Sequence, residues 1–240
     1  EKLEEVRRLE SDRMGFLQAA INAPNLDKQR AIVKNEKRLG ENKAYGNAWD
    51  QLNGMVWPQG HPYKWGVIGS MQDLDAASVQ DVKDFHATHY LPNNAVLVLS
   101  GDFDTKDALA KVAKWFGPIA KGPTPPALNV PAAGAGGRKA VTVEDDKAQL
   151  PLLLIAYPIP GKGQPGWTEM SVVAQVLGGG KSSRLVRSLQ YDKRMAVQVG
   201  ASVTGLREAD LFLVEAVPVP GVKTEDLTAA IEAEMAKIVR

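Results

Sequence analysis

Near the start of the chain, apolar residues recur at helical spacing within a heavily charged background, and this pattern predicts a helix over residues 3–20 with Gly15 as its weak point. A second helix is predicted over residues 26–39. A loop-rich stretch follows through residues 57–63, where Pro58, Gly60 and Pro62 forbid regular structure. Ser78 with Asp81 three residues on has the form of an N-cap. It opens a helix with Val79, Val82, Phe85, His86 and His89 on one side, and Pro92 stops it. Residues 95–101, apolar and bounded by Asn93-Asn94 and Gly101-Asp102, read as a buried strand. Another helix is expected over Thr105–Phe116.

The composition then changes. From Gly117 to Gly137 the chain is dominated by Pro, Ala and Gly, including Pro123-Thr124-Pro125-Pro126 and Ala132-Ala133-Gly134-Ala135-Gly136-Gly137, which reads as a linker. Beyond it, strands are expected over 139–144 and 149–157 and helices over 168–177 and 182–191. Two more strands follow over 196–203 and 211–217, then a last helix over 224–239. Paired strands separated by helices favour an α+β lobe with an antiparallel or mixed sheet over a doubly wound parallel one. The expected organisation is a first lobe at 1–118, a linker at 119–137 and a second lobe at 138–240. The first lobe reads as lacking its opening strands.

Glu36 breaks the apolar pattern of the second helix. Ile32 lies four residues before it, Val33 three before and Leu39 three after, so the carboxylate falls on the apolar stripe. A buried acid needs a cation, a hydrogen-bond cluster or a metal. The plainer reading is an acid at the stripe's edge, answered by Arg30 or Lys37.

Bulk properties narrow the class. Apolar residues at 44% and charged residues at 24% give a globular balance. A net charge of +1, with the basic residues spread along the chain, favours neither nucleic acid nor an acidic membrane surface. No stretch has the length of a membrane span; the longest apolar run, 150–159, is interrupted by Pro151 and Pro158. The absence of cysteine excludes disulfides, thiol catalysis and thiolate metal sites. The chain opens at Glu1 inside a charged helical repeat and without a start methionine, which reads as a processed, truncated or engineered start.

Three further patterns carry weaker signals. His86 and His89 sit three apart on one helical face, but with no acid at zinc-hydrolase spacing they read as packing residues beside Phe85 and Tyr90, and His61 reads as structural. Gly161-Lys162-Gly163-Gln164-Pro165-Gly166 matches a dinucleotide-loop pattern, yet Pro165 removes an amide donor and the paired strands deny it a βαβ setting. Gly178-Gly179-Gly180-Lys181-Ser182-Ser183 imitates a phosphate-binding loop, but Gln175 stands where its first glycine belongs. It reads as a break between helices, with Ser182 capping the next one.

Taken together, the chain resembles the insulinase/pitrilysin family of zinc metallopeptidases, peptidase family M16. The segments that carry the resemblance are Leu9-Glu10-Ser11-Asp12-Arg13-Met14-Gly15, Gln29-Arg30-Ala31-Ile32-Val33-Lys34-Asn35-Glu36-Lys37-Arg38, Gly60-His61-Pro62-Tyr63 and Ile68-Gly69-Ser70-Met71. Tyr90-Leu91-Pro92-Asn93-Asn94-Ala95 and Leu177-Gly178-Gly179-Gly180-Lys181-Ser182-Ser183-Arg184-Leu185 continue it into the second lobe. The resemblance implies two related lobes and a zinc held by the histidines of an H-x-x-E-H motif and by a downstream glutamate, which Glu36 matches by position. No H-x-x-E-H occurs in the chain, and the family places it upstream of residue 1. The arginine–tyrosine pair of the family's other half has no counterpart near Gln190 and Val197.

The implied reading is the zinc-bearing half of a metalloendopeptidase acting on peptides or unfolded polypeptides. Zinc belongs to the parent enzyme, no catalytic residue is assigned in this chain, and a second M16-type half or subunit is the expected partner. As an isolated chain it is expected to be inactive and to bind no zinc tightly. The alternatives are a non-catalytic structural subunit of an M16-type assembly or an engineered truncated scaffold. A periplasmic or exported bacterial setting is the family-level expectation.

Overall fold

Leu211, Phe212, Leu213 and Val214 form an unbroken apolar run in the strand β3, Ala209–Pro218, and all four are buried. A strand buried on both faces belongs at the centre of a sheet. In the computed structural model it lies between β1, Leu153–Pro160, and β2, Ala196–Val203, in the order β1-β3-β2. Both pairings are antiparallel, with Leu153 opposite Ala216 and Val203 opposite Phe212. The structure describes residues 2–133 and 137–238, and only the backbone at residues 2 and 3.

Side chains of β3 alternate between two apolar clusters. Phe212, Val214 and Ala216 pack with Ala174 and Leu177 of helix α7 (Trp167–Gly178), Leu185 and Leu189, and Leu227 and Ile231 of helix α8 (Thr224–Ala236). Ala209 and Leu211 pack instead with Trp57, which follows helix α3, Ala48–Val56. Pro158 sits in β1, an edge strand, where its missing N–H costs no ladder bond on the open side. Val197 is the extra residue of a bulge in β2, where the register shifts between Ala196 and Gln198.

Gly178 ends α7 against β2: a Cβ there would lie 1.9 Å from the Ala201 nitrogen. A Cβ on Gly161 would lie 1.9 Å from the Arg207 carbonyl oxygen. Close backbone packing thus explains one glycine of each pattern, while Gly163 and Gly166 hold φ at 90° and 92°. Between α7 and β2, Val186–Asp192 forms a seven-residue π-helical segment in which the Lys193 amide donates to the Ser188 carbonyl.

The remaining helices are α1 (Lys2–Gly15), α2 (Ala23–Glu41), α4 (Met71–Ala76), α5 (Val79–His89) and α6 (Thr105–Phe116). The residues divide into two compact units, Glu1–Lys37 with Ile68–Asn129, and Arg38–Val67 with Val130–Arg240. This grouping does not follow the chain cut at residue 118. Arg38–Val67 belongs with the sheet because Trp57 and Tyr63 pack against it.

Several expectations are corrected. Residues 95–101 form no strand ladder, and Val96 and Val98 are 90% and 78% exposed, because no described strand pairs with them. Residues 139–144 likewise form no strand, with Val141 and Val143 about half exposed. β1 starts at Leu153 rather than at residue 149. Helix α3 precedes the expected loop in a stretch to which the pattern assigned no element, and the predicted 182–191 helix is largely the π segment. Linker residues 134–136 and the expected helix end at residue 239 lie outside the described residues.

Candidate functional site

Asn22 opens α2, its Oδ1 accepting from the Asn25 amide at 3.0 Å, and Pro24 stands in the first turn, where a missing N–H is harmless. Arg30 fastens the helix. Its Nε donates to the Leu74 carbonyl at 2.7 Å, its Nη2 to the Ala77 carbonyl at 2.6 Å, and its Nη1 pairs with Asp27. One turn on, Lys34 Nζ meets Asp75 at 2.6 Å. The half-buried stripe of α2 is therefore Leu26, Arg30, Val33, Lys34, Lys37 and Glu41, and it is mainly polar.

Two further apolar residues lie on the open side. Ile32 is 50% and Leu39 59% exposed, and Glu36 between them is exposed. Of the two readings of Glu36, a buried acid and an acid at the edge of the stripe, the exposed carboxylate agrees with the second in its position. Arg30 does not answer Glu36, because its guanidinium is spent on Asp27 and two carbonyls. Among the described residues Glu36 has no hydrogen bond or ion pair, and no group of three or more His, Asp or Glu side chains converges for a metal ion. One exposed carboxylate without imidazoles does not fit a catalytic zinc.

The histidines are structural. His86 is buried on α5, stacked on Tyr90 with ring centres 5.1 Å apart, and its two ring nitrogens lie 3.2 Å from Gln18 Nε2 and 3.3 Å from the Arg13 carbonyl. His89 meets Phe85 instead. The helix carrying them begins with a complete capping box between Ser78 and Asp81. His61 is fully buried and stacked on Trp57 at 4.5 Å, and its Nδ1 accepts from the Tyr63 amide. Burial pushes its imidazole below the ordinary histidine range.

Two acids that the sequence analysis did not single out are the most heavily bonded. Asp210, fully buried in β3, accepts from Trp167 Nε1 at 2.5 Å, from the Gly205 and Leu211 amides at 2.8 Å each, and from Thr204. Burial pushes this carboxyl up, but the four donors outweigh it and hold it below the usual range. Glu234 on α8 is buried and meets Lys237, Lys193 and Ser188. The Lys237 hydrogen bond foremost brings its carboxyl down to about 2. An acid inside the apolar run of β3 was the legible signal for Asp210; Glu234 carried none. Both join elements within the sheet unit.

Comparison with known proteins places this architecture. The family model for the peptidase M16 inactive domain matches residues 76–240, so the chain belongs to the peptidase M16 family. A protein of Helicobacter pylori named zinc protease PqqE is 29% identical over 215 residues, covering 88% of this chain and 48% of that protein. A crystal structure of a protease from Helicobacter pylori superposes with a TM-score of 0.81 at 27% identity, covering 98% of this chain and 56% of the other. The first half of the periplasmic protease PqqL from Escherichia coli shares the fold, with a TM-score of 0.74 at 16% identity over 99% of this chain and 51% of the other. The chain thus spans about half the length of the curated relative it matches. M16 peptidases have two related halves, and relatives of this chain are named zinc proteases. Glu36 precedes the matched domain, whose type is the inactive one. Among the described residues no helix is long and apolar enough to cross a membrane.

Proposed function

We propose that this chain is part of a zinc metalloendopeptidase of the M16 family, acting on peptides or unfolded polypeptides, and that Glu36 serves as one metal ligand rather than as a base. The observation that carries the reading is the exposed carboxylate of Glu36, set between the exposed Ile32 and Leu39 on a helix that Arg30 and Lys34 hold firmly. Such a face leaves room for a second element bringing the imidazoles that this chain lacks. The chain's own part is limited to presenting the carboxylate, and alone it neither holds zinc tightly nor hydrolyses peptides. A second M16-type half completes the working protein in this reading. An exported bacterial setting is proposed with it, and the absence of cysteine is compatible with that compartment.

A second reading, a non-catalytic partner subunit, is favoured by the match of residues 76–240 to the inactive domain. The two are separated by supplying an H-x-x-E-H-bearing M16 fragment in trans and following cleavage of a quenched fluorescent peptide. The enzyme reading expects hydrolysis that is lost on Glu36→Gln while complex formation persists. Complex formation without hydrolysis, or hydrolysis indifferent to Glu36→Gln, overturns it.

A further inference from the structure

Residues 181–194 carry five basic residues against one acid, in a chain whose net charge is +1. Lys181, Arg184, Arg187, Lys193 and Arg194 are all exposed. Of these only Lys193 enters an ion pair among the described residues, with the buried Glu234. Arg184, Arg187 and Tyr191 lie on the exposed side of the helical segment, while Leu185, Val186 and Leu189 are buried. Tyr191 is 57% exposed on that basic face.

Like charges one turn apart repel, so an uncompensated basic stripe is a cost to the isolated fold. Two backbone features fall in the same stretch. The segment is π-helical over Val186–Asp192, a form that recurs at functional sites. Arg194 holds φ at 52°, in the left-handed region where glycine or asparagine is easier to accommodate, and the chain keeps a cation there nonetheless.

We propose that this exposed side, formed by Arg184, Arg187 and Tyr191 with Lys181 and Arg194 flanking them in the chain, is a docking site for an acidic polypeptide segment. Guanidinium groups pair bidentately with side-chain carboxylates, and the exposed phenol ring supplies apolar contact and a hydrogen-bonding hydroxyl beside them. A polypeptide fits better than nucleic acid, because the basic residues are confined to one short stretch of a nearly neutral chain and offer no extended track for a phosphate backbone. The proposal goes beyond the peptidase reading and does not depend on zinc or on Glu36.

The test is fluorescence anisotropy of the whole chain with a labelled Glu-rich peptide containing one Phe, a Lys-rich peptide of the same length and a single-stranded oligonucleotide. The expected result is binding of the acidic peptide alone, weakened about tenfold or more as salt is raised beyond the screening range. The triple variant Arg184→Gln/Arg187→Gln/Arg194→Gln loses that binding, whereas Arg138→Gln/Lys162→Gln retains it. Circular dichroism checks folding, and if the triple variant does not fold, the wild-type preference and salt dependence decide. No acidic-peptide binding, equal or tighter oligonucleotide binding, or binding unchanged in the folded triple variant overturns the proposal.

Discussion

Trp167 Nε1 donates to Asp210 Oδ2 at 2.5 Å and so ties the first residue of α7 to the second residue of β3. The same carboxylate takes the amides of Gly205 and Leu211, so one buried acid fixes the β2–β3 turn as well. Removing it strands an indole N–H, two amides and a hydroxyl. Asp210→Ala is expected to destabilise the chain by about 3 kcal/mol, with Asp210→Asn costing less. Urea unfolding followed by tryptophan fluorescence measures both, and an Asp210→Ala midpoint equal to wild type contradicts the assignment.

Glu234 links α8 to the π segment through Ser188 and to Lys193 just after it, besides its own Lys237. Its folded carboxyl, at about 2, lies below the ordinary 4.5. A depressed carboxyl stabilises the fold above its unfolded value, and that contribution is lost as pH falls from about 4.5 towards 2. Glu234→Gln is therefore expected to lower stability at neutral pH and to flatten the loss across this acid window. Unfolding midpoints at pH 7, 4 and 3 decide it; a variant with the wild-type acid slope rules the linkage out.

Arg7 on α1 is 1% exposed, and its Nε and both Nη atoms meet no hydrogen-bond partner among the described residues. A buried guanidinium without acceptors costs more than an apolar side chain of similar length. Arg7→Met is expected to raise stability by about 1–3 kcal/mol in thermal or urea unfolding. Destabilisation by the substitution would mean that the guanidinium has an acceptor.

Residues 95–101 test the correction to the expected strand. With no ladder partner, the amides of Val96, Leu97 and Val98 should exchange with solvent at nearly unprotected rates, whereas those of β3 are strongly protected. Val96→Thr and Val98→Thr are expected to leave stability within about 0.5 kcal/mol of wild type, as exposed substitutions do. Hydrogen exchange by mass spectrometry reads the first point; protection of these amides equal to that of β3 is the contrary outcome.

The parts legible in the sequence were those written in local chemistry. The Ser78–Asp81 box sets the start of α5 by contacts three residues apart, and β2 is located by its own alternation and apolar content. Residues 95–101 have the composition of a strand, but a strand exists only through a distant partner, which no local pattern reports. Helix α3 was hidden because Asn47 makes no side-chain cap to mark its start. The π segment was invisible because one inserted residue per turn leaves a short apolar pattern unchanged. For Glu36 the sequence identified the face and not its exposure, since periodicity orients a side chain without saying what lies opposite.

The most direct test of the central claim is the zinc content of the purified chain, alone and in complex with an H-x-x-E-H-bearing M16 fragment, with Glu36 and with Glu36→Gln. The account predicts no stoichiometric zinc on the chain alone, about one zinc per complex with Glu36 present, and a loss of at least about tenfold in metal affinity on Glu36→Gln. A tight, Glu36-dependent zinc on the isolated chain, or a complex that keeps its zinc unchanged in Glu36→Gln, contradicts it.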